Sequence, residues 1–237
     1  MSIPTITTPR LILRAFTEED IDSLQRILGE EGVLRYFPKS DPPPRDKVQA
    51  MIARQLKHWE ERGYGLWAVE SRPTGELLGR CGLQYLPETD ETEVDFILGK
   101  KFWGQGLATE AGRASVRYGF EELLLASIVG IVHPENLASR RVLEKLGMKL
   151  MERRRYFEMD CYRYAIERAW YRTVAEAPEQ SLELLQNSAG GDSATERHRN
   201  PQKNHANRHV NPYSVSFCVD WFSHALDSDW WRVRTSQ

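Results

Sequence analysis

The stretch 101–115, KFWGQGLATEAGRAS, places Gly104 and Gly106 at the entrance to a run that reads as helix. A tight turn needs one glycine. A second one two residues later leaves consecutive backbone amides bare of side chains. The first N–H groups of a helix lack intrahelical partners and sit at the positive end of its dipole, so such an entrance suits an anion. The alternative at this point is a strand-to-helix turn that binds nothing. The helix is expected to run to about Leu124, with Ala108, Ala111, Ser115 and Tyr118 along one side, small enough for it to lie close on a sheet.

On either side of this entrance the pattern alternates between strand-like and helix-like segments. TEVDFILG (92–99) reads as a strand with Val94, Phe96 and Leu98 on one face and Glu93, Asp95 and Ile97 on the other. Upstream, GLWAVES and ELLGRCGLQYL form two strands around a turn at Pro73-Thr74-Gly75, and PPPRDKVQAMIARQLKHWEERG is a helix entered through prolines and closed at Gly63. RLILRAF (10–16) is a strand, after which Thr17 is expected to cap a helix reaching about Leu28. Downstream, SIVGIVH is a buried-type strand and MDCYRYAIERAWYR is expected to close the domain as one long strand. Antiparallel strands followed by a strand–helix–strand crossover define an α+β fold with a mixed sheet.

The chain has 237 residues and a formal net charge of -2, from 32 basic and 34 acidic side chains, so no overall field directs it to nucleic acid. No run approaches the ~20 apolar residues of a membrane span, and the first residues carry no signal-peptide pattern. A cytoplasmic protein with no membrane partner is expected. Cys81, Cys161 and Cys218 are widely spaced, an odd number, and form no metal-ligand pair. Between Asn187 and His209 there is no large apolar residue, so that segment is expected to be disordered. The aromatic-rich 210–237 shows neither period and is expected either to dock or to be a poorly specified extension. Residues 176–237 are therefore read as a low-complexity, disordered extension beyond a domain at 8–175. His198, His205 and His209 lack a carboxylate or thiolate partner, and no metal site is expected there.

The second informative stretch is VHPENLASRRVLEKLGM (132–148). Pro134 ends the preceding strand. Asn136 is suited to cap a helix, and Ser139 lies where its amide can bond the Asn136 side chain. By itself this is a well-capped helix. With FWGQGLATEA and the early TPRLILR, in this order, it resembles the GNAT superfamily of acyl-coenzyme A N-acyltransferases, over Arg10 to about Arg172. Its RimJ/RimL-like branch, which acetylates protein N-termini, is the nearest in pattern.

The resemblance implies a mostly antiparallel, splayed central sheet flanked by helices, and a direct acetyl transfer from acetyl-coenzyme A to a primary amine. Acetylation of a small-molecule amine and coenzyme binding without catalysis remain alternatives, as do monomer and homodimer. The amides from Gln105 to Thr109, with Gly104, Gly106, Leu107 and Ala108, would wrap the pyrophosphate. Phe96, Ile97 and Leu98 would border the pantetheine arm or the thioester, and Asn136 would hold that arm. For the base the resemblance implies Glu93, with Asp95, Glu158 or water as rivals. The chain departs from the wider superfamily at Trp103, where Gln or Arg is usual, and at Leu143, where many members carry an acidic tyrosine. Ser139 would then assist the departing thiolate.

Overall fold

A computed structural model describes residues 2–156 and 158–176. The expected disordered extension and Cys218 therefore lie outside the described residues, apart from Glu176. One eight-stranded sheet is built from β1 (Ile6–Thr7), β2 (Leu11–Arg14), β3 (Leu66–Ser71), β4 (Leu77–Leu86), β5 (Glu91–Leu98), β6 (Ser127–Val132), β7 (Lys149–Tyr156) and β8 (Met159–Glu167). Its spatial order is β1-β2-β3-β4-β5-β6-β8-β7, and every neighbouring pair is antiparallel except β5 with β6. The helices are α1 (Asp20–Gly29), α2 (Arg45–Arg62), α3 (Leu107–Glu121), α4 (Leu137–Lys145) and α5 (Arg168–Glu176).

Strand alternation sorts the sheet into two faces, and each has its own core. On one face Val94 and Leu98 of β5, with Ile128 and Val132 of β6, join Leu107, Ala111 and Phe120 of α3, Leu143 of α4 and Leu146 just after it. On the other, Ile97 of β5 packs with Leu66 and Ala68 of β3 and with Leu24, Leu28, Met51 and Ile52 of α1 and α2. The small side of α3 permits the close approach. Ala111 and Ser115 are fully buried, and the Ser115 hydroxyl donates to the Ala111 carbonyl in the turn below.

The parallel pair is where the sheet opens. β5 and β6 share a single register pair, Glu93 with Val129, although β5 continues to Leu98 and β6 to Val132. Beyond that pair the two strands diverge, leaving the β6-facing edge of 94–98 without a strand partner.

Three expectations need correction, and one strand, β7, is additional to them. Thr17 does not cap α1 with its side chain; instead the Asp20 carboxylate accepts from the Thr17 N–H at 2.8 Å, the reverse half of a capping box. The final segment is a strand only to Glu167. There the Arg168 amide and guanidinium donate to the carbonyls of Ala126 and Leu125, and the chain turns into α5. β7 was absent from the sequence reading because its residues KLMERRR are all exposed, so its one buried face residue, Tyr156, leaves no alternation to read. α3 also stops at Glu121, short of Leu124, whose positive φ of 55° ends the helical path.

Candidate active site

The divergence of β5 and β6 continues into a groove of about 1160 Å³ lined by both faces of β5, the end of β6 and the first turns of α3 and α4. The two helices pack on the Val94/Leu98 face, so both their N-termini open on the same side of the groove.

The entrance to α3 explains both glycines. Gly104 and Gly106 have φ of 73° and 77°, and Gly106 is the N-cap itself. A side chain there costs roughly 1–2 kcal/mol in backbone strain. A Cβ on Gly104 would meet nothing within 4 Å, and one on Gly106 would meet only the Arg10 guanidinium at 3.6 Å. Conformation, not crowding, demands glycine, and the space in front of the turn is open. The turn is braced from β2's approach. Arg10 donates to Glu110 at 2.6 Å and to the Gln105 carbonyl at 2.9 Å, while Thr8 donates to Glu110 at 2.7 Å. The early TPR motif is thus the clamp that holds this entrance. Trp103 donates its indole N–H to the Leu98 carbonyl at 2.7 Å, tying the turn to the end of β5.

Gly104, Gly106, Leu107, Ala108 and Thr109 line the groove, as do Phe96, Ile97 and Leu98. Gln105 does not; its side chain turns back to the Lys101 carbonyl at 2.8 Å. Asn136 and Ser139 also line it, and the Asn136 side chain accepts from the Ser139 amide at 3.1 Å, capping α4. Leu143 is 2% exposed and packs against β6, where a Cβ on Gly130 would stand 2.6 Å from its methyl group. That close helix–strand packing is what the leucine supplies.

Glu93 sits in the fork. Its Oε1 accepts from the Ile131 amide at 3.1 Å and its Oε2 from the Gln84 side chain at 2.8 Å. The carboxylate therefore occupies the gap where the β5–β6 ladder stops. Burial, then the nearby Asp95 charge, push its pKa up to about 8, against the opposing pull of the two hydrogen bonds and of Arg80. Asp95, next on the same face, is ion-paired with the buried Arg80, and Glu91 with Arg163. Glu158 does not reach the groove; it lies exposed in the β7–β8 turn, paired with Arg155 at 3.1 Å. Among the described residues no group of His, Cys, Asp and Glu is placed to hold a metal, and no helix is long and apolar enough to cross a membrane.

Sequence reasoning missed several lining residues. Arg35, Tyr36 and Phe37 come from the loop after α1, His133 from the end of β6, and Arg141 and Lys145 from α4. Arg141 and Lys145 were findable, since 138, 141, 142 and 145 fall on one helical stripe facing the groove. Tyr36 and His133 were not, because they are 97 positions apart and meet only through the fold.

Comparison with known proteins agrees with this geometry. Residues 10–149 match the family model described as an acetyltransferase (GNAT) domain. YkkB of Bacillus subtilis (strain 168) is 34% identical over 151 residues, covering 60% of this chain and 84% of that protein. YoaA of the same organism, named as an N-acetyltransferase, is 30% identical over 147 residues, covering 62% and 83%. The crystal structure of an acetyltransferase from Agrobacterium tumefaciens str. C58 superposes with a TM-score of 0.62 at 27% identity, over 70% of this chain and 96% of that one. The chain belongs to the GNAT acetyltransferase family, and it is an acyltransferase that takes acetyl-coenzyme A as donor.

Proposed function

We propose that the protein is an acetyl-coenzyme A-dependent N-acetyltransferase of the RimJ/RimL-like branch, acting on the α-amine of a protein or peptide N-terminus. The observation that carries the reading is Glu93: a carboxylate held in the fork of the sheet, on the face opposite α3 and α4. The coenzyme would lie on the helix side, with its pyrophosphate against the amides of 105–109 and the cations Arg141 and Lys145 nearby, its arm passing Asn136 and the open edge of Phe96–Leu98. Both helix dipoles would then point at the donor.

The acceptor would enter from the Glu93 face. Both Glu93 oxygens already accept hydrogen bonds, so it takes the amine proton through a bridging water. An α-amine has a pKa of roughly 7.7–8.0, close to that of Glu93, so the transfer is nearly isoenergetic; a lysine, at about 10.4, costs about 3 kcal/mol more. The attacking nitrogen forms a bond to the thioester carbonyl carbon, the C–S bond breaks, and the thiolate leaves beside Ser139 with a proton returned to sulfur. A polyamine is disfavoured because Asp95, the acid beside Glu93 on β5, is already neutralised by Arg80. That leaves Glu31 and Glu135 as the further acids of the lining, against Arg35, Arg141 and Lys145.

The test is release of free coenzyme A thiol from acetyl-coenzyme A against N-terminal peptides, lysine side-chain peptides, polyamines and amino acids. Turnover on α-amine peptides at least tenfold above the rest is expected. A polyamine as the best acceptor would overturn the N-terminal reading, and no turnover with tight coenzyme binding would favour a binding module.

A further inference from the structure

Tyr36 and His133 meet ring on ring, centroids 5.2 Å apart and planes 23° from parallel. Tyr36 stands in the loop after α1, beside Phe37, which packs on the α1/α2 core. His133 follows β6, where Val132 faces the α3 core, so by alternation His133 shares the face of Val129 and Ile131 and therefore of Glu93. Both rings line the groove, and the contact bridges it from the α1–α2 loop to the β6 end.

The two rings are also held. Asn136 donates its amide to the His133 carbonyl at 2.9 Å, and Glu135 donates its amide to His133 Nδ1 at 3.2 Å, which fixes that ring nitrogen as an acceptor. The Arg35 guanidinium stands 5.3 Å from the centre of the Tyr36 ring. His133 lies just before the α4 cap, but by alternation its ring and that of Tyr36 stand on the carboxylate face of the sheet, opposite the face that carries α3 and α4. The stack therefore bears on the acceptor and not on the coenzyme.

We infer that the Tyr36–His133 stack is the specificity-determining wall of the acceptor half of the groove, admitting amines next to small side chains and excluding bulky ones. The inference rests on the N-terminal acetyltransferase reading. Removing a ring from such a wall opens a space of side-chain size, and one methylene in a pocket is worth about 10- to 200-fold in discrimination. Truncating either ring leaves Glu93 and Ser139, the groups assigned to proton transfer, in place, so chemistry on a small acceptor should continue.

The experiment compares kcat/KM for two peptides differing only at the first residue, serine or phenylalanine, in wild type, Tyr36→Ala, Tyr36→Phe and His133→Ala. Wild type should prefer the serine peptide. Tyr36→Ala and His133→Ala should each move the ratio towards phenylalanine by about tenfold or more. Tyr36→Phe, which keeps the ring, should retain the wild-type ratio, and the KM for acetyl-coenzyme A should stay within twofold throughout. Should one alanine variant fail to fold, the other opens the same wall from the opposite side. An unchanged ratio with both peptides still acetylated overturns the wall alone. A KM for acetyl-coenzyme A that rises as much as the acceptor's also overturns it, by placing the rings in coenzyme binding. Acetylation of neither peptide by wild type overturns the acceptor reading and the wall with it.

Discussion

At the scale of single residues, Glu93 is asked to do two things: to fill the fork of the sheet and to accept a proton. Glu93→Gln separates them, since the amide keeps the shape and the Ile131 contact while losing the basicity. Turnover on the best peptide should fall by about 100-fold, within the range for general-base catalysis. Wild-type kcat/KM should rise with pH through about 8 as both Glu93 and the α-amine ionise, and the variant should lose one of these two ionisations and keep only the amine's shallower rise. Stability carries the opposite sign. The folded protein holds the Glu93 proton up to about 8 whereas the unfolded chain releases it near 4.5, so the folded state binds more protons between those values. Its stability therefore declines as pH rises from about 4.5 to about 8, and the Tm difference between wild type and Glu93→Gln should drift against wild type over that window. A Tm difference that is flat with pH would show Glu93 to be ordinary in its proton affinity. Gly106 offers a second residue-level test. Gly106→Val both strains the 77° φ and puts a branched side chain before the amides, so titration calorimetry should find acetyl-coenzyme A binding lost.

At the scale of elements, α4 shows why capping and catalysis must be told apart by paired variants. Asn136 accepts the Ser139 amide, and Asn136→Ala should remove about 1 kcal/mol of stability, read by denaturant unfolding, and weaken coenzyme binding. Ser139→Ala leaves that backbone bond intact. Unfolding should be unchanged while turnover falls about 10- to 100-fold, with little change in the KM for acetyl-coenzyme A. Ser139→Ala with wild-type turnover would reduce Ser139 to part of a helix start. Elements with a strong local signature were legible in the sequence for the same reason that this cap was. Gly63, with φ of 73°, ends α2 where its position requires, and Gly75 makes the β3–β4 turn with φ of 70°. The helix side of the groove, Gly104 and Gly106 to Thr109 with Asn136, is written in two contiguous motifs and was legible too. Glu93 came from the resemblance, but the rings on its face of the sheet did not. Tyr36 and His133 lie in separate segments, and neither composition nor period marks residues that meet only across the opened sheet. β7 and α5 were hidden by a related effect, because an exposed edge strand has no buried face to impose alternation, and Trp170 and Tyr171 read as strand residues until their partners are known.

For the whole molecule, the question is where the folding unit stops. α5 is not a loose end. The Trp170 indole donates to the Gly147 carbonyl at 2.9 Å, the Tyr171 hydroxyl donates to Glu121 at 2.8 Å, and the Tyr171 ring stacks on Phe120 at 4.7 Å. These contacts tie the end of the domain to α3 and to the chain just after α4, the two helices that present their N-termini to the groove. Burial pushes the Tyr171 hydroxyl up to about 12, with the Glu121 hydrogen bond adding to it, so this tie persists through the working pH range. We propose that residues beyond α5 are dispensable for folding and coenzyme binding, as the lack of large apolar residues from Asn187 to His209 suggests. Truncation after Pro178 should leave a soluble protein that unfolds cooperatively and binds acetyl-coenzyme A like the full chain. Truncation after Glu167 should not, because it removes the aromatic ties to α3, among them the Tyr171 ring that stacks on Phe120, itself 3% exposed. The pair of truncations decides between boundaries. Equal loss in both would place essential contacts beyond Pro178, and full competence of the shorter chain would make α5 an appendage instead of the last element of the fold.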